Sequence, residues 1–160
     1  MLKTEIYFIH GLESSGSGTK GRFFAHNFPQ VVCPDFEGTL ANRLCRLEEL
    51  CKNQQPLILI GSSYGGLMAT CYAVSRPPEK VAGLILLAPA LNYEGYQPPT
   101  ELLQVPTLLI IGKHDTVTPA ALVTPLAKAT FADLEIRIVD DDHMLHETFQ
   151  QLDWQKLLVG

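Results

Sequence analysis

The run Leu57-Ile58-Leu59-Ile60-Gly61-Ser62-Ser63-Tyr64-Gly65-Gly66-Leu67-Met68-Ala69 limits what this 160-residue chain can fold into more than any other stretch. Four apolar residues, two of them β-branched, read as a buried strand. Gly-Ser-Ser-Tyr-Gly follows at once, and a helix-like run begins with no loop between. Strand, turn and helix in so few residues form a sharp reversal, and the G-x-S-x-G pattern puts Ser63 at its apex. The backbone there is strained, and the serine hydroxyl stands clear of the sheet. Gly61 and Gly65 have no Cβ, so strand and helix can approach closely on either side. The first turn of the helix aims free N–H groups and a positive dipole end at the same point.

The rest of the chain alternates in the same manner. Segments 6–9, 31–33, 57–60, 81–87, 106–111 and 134–139 read as six strands. Segments 19–27, 40–51, 64–76, 119–130 and 145–158 read as helices. Phe23, Phe24 and Phe28 form the apolar face of the first, and Thr39 is a plausible N-cap for the second, whose stripe is Leu40, Leu44, Leu47, Leu50 and Cys51. Phe149, Leu152, Trp154 and Leu157 are candidates for the packed face of the last. Strands apolar on both faces and separated by helices predict an α/β three-layer sandwich around a mostly parallel sheet. One domain over residues 1–160 is expected, with no repeat or linker.

In an open parallel sheet, chemistry gathers beyond the carboxyl ends of the strands. Four of the six ends carry notable residues: His10-Gly11-Leu12, Ser63, Asp115 and His143. Ser, Asp and His come in the order expected when a triad is built on this plan. A serine hydroxyl is a poor nucleophile at neutral pH and needs a neutral imidazole to take its proton. A carboxylate on the far ring nitrogen fixes the tautomer and stabilises the imidazolium. The oxyanion needs two preorganised donors, for which the backbone N–H groups of Tyr64 and Leu12 are the candidates.

These motifs together resemble the α/β-hydrolases. His10-Gly11-Leu12 is similar to their oxyanion loop, Gly61 to Gly66 to the nucleophile elbow, Gly112 to Pro119 to the acid-bearing loop with Asp115 in the acid position, and Asp142-His143 to the histidine loop. The small size and the H-G-x-x-S-S loop resemble the compact YqiA-like esterases. The resemblance implies a minimal fold of six strands, lacking both the strands that usually precede the one leading to His10 and the cap domain that usually follows the strand at 81–87. An open, shallow site is expected, partly roofed by Asn92, Tyr93 and Tyr96. It implies a serine hydrolase acting on small-molecule carboxylic esters or thioesters through an acyl-enzyme, with no cofactor. The alternative is a non-catalytic module of the same fold that binds a small ligand or a protein.

Composition narrows the partners. The chain is 46% hydrophobic and 18% charged, with a net charge of −5 and no Lys/Arg cluster, so nucleic acid and anionic membranes are poor partners. No apolar segment is long enough to span a bilayer. Cys33, Cys45, Cys51 and Cys71 form no C-x-x-C pair, and the N-terminus shows no leader, so a reducing cytoplasm is expected. His143 and His146 lack the spacing and neighbours of a metal site, and none is expected. His10 reads as a brace for the oxyanion loop, His114 as a loop residue, and His26 and His146 as surface residues. Asp35 reads as a turn former and Asp140 and Asp141 as solvated loop charges. These last two imply an acidic site mouth that disfavours anionic esters. The oligomeric state is left open.

Overall fold

The computed structural model describes residues 3–54 and 56–159. The segment ahead of Ile6, in which no leader was read, begins with residues outside that set. Six parallel strands form one sheet in the order β2-β1-β3-β4-β5-β6. They are β1 (Glu5–Ile9), β2 (Val31–Val32), β3 (Leu57–Ser62), β4 (Val81–Leu87), β5 (Thr107–Gly112) and β6 (Leu134–Val139). The helices are α1 (Thr19–Asn27), α2 (Leu40–Cys51), α3 (Tyr64–Val74), α4 (Ala120–Lys128), α5 (Thr148–Gln151) and α6 (Trp154–Leu157), with a 3₁₀ turn at Pro78–Lys80. The sheet is parallel throughout, and the chain reverses direction across it at β1, where β2 lies on one side and β3 on the other.

The apolar runs serve both faces because side chains alternate along a strand. Tyr7, Ile9, Leu59, Leu86 and Leu109 join the core with Leu47 of α2, Met68 of α3 and Val123 of α4. Ile6, Phe8, Ile60, Leu87 and Ile110 join the other core with Phe24 of α1, Phe149 of α5 and Trp154 of α6. Phe24 packs edge to face on Phe149 and Trp154, with centroids 5.6 and 4.9 Å away, and Phe149 and Trp154 meet at a tilt, 5.3 Å apart. The expected three-layer arrangement is therefore present, with both aromatic and aliphatic faces where the periodicity placed them. Thr39 caps α2 by accepting the Asn42 N–H at 3.1 Å.

The last expected helix, 145–158, is broken into α5 and α6. Leu145 has φ of 52°, and Leu152 is extended. Asp141 is the cause of the late start. It is buried, not the solvated loop charge expected from sequence, and its carboxylate accepts the N–H groups of Asp142 (2.8 Å), Glu147 (3.1 Å) and Thr148 (2.8 Å). Burial alone would raise its pKa, but the donors from Thr148, Asp142 and Glu147 outweigh it and bring the group down to about 2. Asp153 then restarts the chain as the N-cap of α6, accepting the Lys156 N–H at 3.2 Å.

Other departures are smaller. The four thiols are free. Cys51 is buried, and burial pushes its thiol up to about 12, in line with a cysteine used as a small hydrophobe. Cys45 is exposed on α2 instead. Asp35 does more than form a turn: its carboxylate accepts the Gly16 N–H at 2.7 Å and ties the loop after β1 to the end of β2. Among the described residues, no helix is long and apolar enough to cross a membrane.

At Gly65 the start of α3 lies hard against the end of β1. A Cβ there would sit 1.9 Å from the Ile9 carbonyl oxygen, with no flexible side chain to give way. At Gly83 of β4 the nearest atom would be 3.7 Å away, an ordinary contact. Gly65→Ala is thus expected to lower the unfolding free energy by roughly 3 kcal/mol or more, and Gly83→Ala by less than about 1 kcal/mol, as read by urea titration. Equal effects would contradict this packing. Asp141 gives a pH signature. Its folded pKa lies below the unfolded value of ~4, so its contribution is complete above that pH and is lost as pH falls toward 2. Asp141→Asn should lower the urea midpoint at neutral pH, with the gap to wild type closing across that acid window. A gap that stays constant would rule the capping role out.

Candidate active site

Three strand ends meet at one point. Ser63 leaves β3 with φ 55° and ψ −114°, a conformation that costs about 1–3 kcal/mol for a residue with a side chain. Its neighbours hold it there. The Ser63 N–H donates to the Leu87 carbonyl at 2.9 Å, and its own carbonyl accepts from Ala90 and Gly66, each at 2.9 Å. A Cβ on Gly61 would come within 2.4 Å of the Gly65 carbonyl oxygen, so the reversal needs glycine at that position.

The loop after β5 delivers Asp115. Its side chain is fully buried, and all its acceptor capacity is used. Oδ1 accepts the N–H groups of Val117 and Thr118, each at 2.8 Å; Oδ2 accepts the Thr118 hydroxyl and His143 Nδ1, each at 2.7 Å. Burial works to raise its pKa, but the N–H and hydroxyl of Thr118 and the His143 ring prevail and hold the carboxyl below the usual range. The group is therefore an ionised acceptor at neutral pH, which requires the proton of His143 to sit on Nδ1. Nε2 is left free to accept, and it lies 3.0 Å from Ser63 Oγ. The ring is mostly buried, with the side chain 19% exposed. The chain Ser63–His143–Asp115 expected from sequence is thus closed by hydrogen bonds across residues far apart in the chain.

The loops bearing Asp115 and His143 are joined to each other. His114 N–H donates to the Asp141 carbonyl at 3.1 Å, and Lys113 N–H to the Val139 carbonyl at 2.8 Å. A Cβ on Gly112 would lie 2.4 Å from the Asp141 carbonyl oxygen, so only glycine lets the loops approach this closely.

The loop after β1 passes beside Ser63. A Cβ built on Gly11 would be 3.6 Å from Ser63 Cβ. His10 is buried and braces that loop, as expected. Its Nε2 accepts the Phe36 N–H at 2.8 Å, which leaves the proton on Nδ1 to donate to the Gly11 carbonyl at 2.7 Å. Among the described residues, neither the Leu12 nor the Tyr64 N–H donates to another backbone or side-chain acceptor. A cavity of about 650 Å³ opens beside Leu12, lined among others by Ser14, Asp35, Phe36, Arg43 and Arg46.

The other candidates fall outside this centre. His114 and His146 are exposed and sit 2.8 Å from Asp140 and Asp142 respectively. Among the described residues, no group of three or more His, Cys, Asp or Glu is placed to hold a metal ion. Asp141 is buried under backbone donors, whereas Asp140 is the exposed loop charge expected from sequence and lies beside Lys113 and His114. Of the three residues expected to roof the site in part, Tyr96 is bonded elsewhere. Asn92 reaches the Val117 carbonyl at 3.1 Å, and the half-exposed Tyr93 packs on Tyr64, but Tyr96 turns away to bond Thr130 at 2.5 Å.

Sequence reasoning missed Thr118. Its hydroxyl lies 2.7 Å from Asp115 Oδ2, 3.2 Å from His143 Nδ1 and 3.2 Å from the Ala88 carbonyl, so it fixes acid and base together. Ala88 has φ of 46°, and this conformation carries its carbonyl. The signal available was a threonine three residues after an aspartate in a loop, the spacing at which Asp side chains close turns.

Comparison with known proteins agrees with this architecture. The model of the Hydrolase_4 family, described as serine aminopeptidase, S33, matches residues 3–103, more than half of the chain. Lipase LipV of Mycobacterium tuberculosis is 27% identical over 154 residues, covering 86% of this chain and 56% of the lipase. The chain thus spans about half the length of that curated relative. A solved structure from Xanthomonas campestris pv. campestris, described as a hydrolase of the α/β superfamily, is 27% identical with a TM-score of 0.75 and 91% of each chain covered. A thermophilic esterase from Thermogutta terrifontis shares the fold alone, at 15% identity and a TM-score of 0.74, with 98% of this chain and 90% of the esterase covered. A parallel sheet whose third strand ends in a strained serine, together with a family match over that same region, makes this chain a member of the Hydrolase_4 family of α/β-hydrolases.

Proposed function

We propose that this protein is a serine hydrolase that cleaves carboxylic esters or thioesters through an acyl-enzyme on Ser63. The observation that carries this is the continuous relay from Ser63 Oγ through His143 to Asp115, at 3.0 and 2.7 Å. His143 Nε2 takes the hydroxyl proton as Ser63 Oγ attacks the carbonyl carbon. Asp115 holds the resulting imidazolium through Nδ1–H. The imidazolium then gives its proton to the departing alcohol or thiol. Water, deprotonated by the same nitrogen, releases the acid and restores Ser63. The N–H groups of Tyr64 and Leu12 receive the negative charge that forms on the carbonyl oxygen. Removing one such donor typically costs about 2.7–4 kcal/mol of barrier. No step calls for a cofactor.

The name of one relative, a lipase, supports an ester as the scissile group. The family description names an aminopeptidase, and the same three residues could serve an amide. A non-catalytic binding module of this fold has no need for three groups in hydrogen-bonded series.

A series of p-nitrophenyl esters from acetate to long acyl chains, with a peptide p-nitroanilide alongside, distinguishes these. Wild type should hydrolyse at least one ester. Ser63→Ala should remove nearly all of that activity while keeping the fold, and Asp115→Asn should lower kcat by roughly 10⁴. Amide turnover exceeding ester turnover would replace the ester assignment. Activity that survives in Ser63→Ala would remove Ser63 from its role.

A further inference from the structure

Helix α2 carries one residue out of keeping with its apolar stripe. Arg43 sits three residues after Leu40 and four before Leu47, and it is only 4% exposed. It forms no ion pair among the described residues. Its Nε donates to the Gly38 carbonyl at 3.0 Å, and its Nη2 to the Leu12 carbonyl at 3.3 Å. The guanidinium carbon lies 5.3 Å from the centroid of the Tyr64 ring. Nη1 is buried without a hydrogen-bond partner among the described residues. A buried cation lacking a counter-charge is a poor device for stability, since an apolar side chain of similar size serves the core better.

Resting on the assignment of Ser63 as nucleophile, we infer that Arg43 is a positioning residue for the oxyanion hole, joining the residues that carry its two donors through one rigid group. The Leu12 N–H belongs to the peptide between Gly11 and Leu12. His10 holds the carbonyl of that peptide, and Arg43 holds the carbonyl of the next. With both flanking carbonyls anchored, the N–H between them cannot swing. On the other side, the Tyr64 ring lies between the guanidinium and the Tyr93 ring, which meets it in a T-shaped contact with centroids 5.8 Å apart. The loop after β1 and the start of α3 are therefore set against each other by a planar group that contacts both. Donors to an oxyanion must sit about 2.7–3.1 Å from the atom they stabilise, and a misplacement of 1 Å can cost on the order of 10²-fold in rate. Arginine suits the task because its planar fork donates to two carbonyls while its charge lies over a ring. Lysine offers the charge without the fork.

Arg43 also lines the cavity beside Leu12, so a substrate-binding role is the competing explanation. The two separate kinetically. Wild type, Arg43→Lys, Arg43→Leu and Tyr64→Leu would be assayed for kcat and KM on the best p-nitrophenyl ester. Each would also be titrated with a trifluoromethyl ketone, which forms a tetrahedral adduct that needs the hole. Thermal melting reports folding. Arg43→Lys should melt near wild type yet lose about 10- to 100-fold in kcat with KM within about twofold. Across the variants, Ki for the ketone should rise by the factor by which kcat/KM falls. A rise in KM with kcat unchanged would assign Arg43 to substrate binding and overturn the inference. So would full activity in Arg43→Lys, or a fall in kcat with Ki for the ketone unchanged. Should Arg43→Leu fail to fold, Arg43→Lys and Tyr64→Leu carry the same comparison. Absence of Ser63-dependent turnover in wild type overturns the nucleophile assignment itself, and this inference with it. Loss confined to the Arg43 and Tyr64 variants concerns the hole alone.

Discussion

The backbone at Ser63 is the constraint on which the rest depends. A serine at φ 55° is tolerated only where its surroundings leave the chain no other course. Here Leu87 takes its N–H, Ala90 and Gly66 take its carbonyl, and the glycines at 61 and 65 let β3, α3 and β1 crowd together around it. The sheet is thus the frame for the strain. In return, the strain lifts one hydroxyl to the edge where β1, β4, β5 and β6 also end. Ala88 and Leu145, the other non-glycine residues with positive φ among those described, lie at the same end of the sheet. Irregular backbone gathers where the chemistry is proposed, and the regular strands carry it.

Electrostatic order at that end follows from backbone donors more than from ion pairs. Asp115 and Asp141 are both held ionised by N–H groups of the turns that follow them. The first orients His143, and the second sets the course of the chain between His143 and α5. Gly112 lets the two loops meet, so the acid and base are placed relative to each other before any substrate arrives. Preorganisation of this kind is what a developing charge requires, because little reorganisation is left to the moment of reaction.

Much of this was legible in the sequence, for definite reasons. The strand runs at 57–60 and 107–111 were bounded by Pro and Gly, and the elbow combined a strand, a turn and a helix within thirteen residues. The three residues of the relay stand at the ends of such strands, where position alone is informative. What stayed hidden depended on partners distant in the chain. Asp141 is one of three consecutive aspartates, and nothing in their identity says which one turns inward to cap the next helix. The break at Leu152 was masked by an apolar spacing that two short helices satisfy as well as one long one. Thr118 and Arg43 act through contacts with loops from other strands. For Arg43 the trace was a charge within an apolar stripe, and it carries meaning only once Leu12 and Tyr64 are seen beside it.

The most direct test of the central claim is the site of covalent labelling by a fluorophosphonate, which reacts with a serine only when a base and an oxyanion hole activate it. Intact mass followed by peptide mapping should show one adduct on wild type, located at Ser63. It should be absent from Ser63→Ala and form at least about 100-fold more slowly on His143→Ala. A folded wild-type protein that takes up no label, or takes it at the adjacent Ser62, would contradict the account.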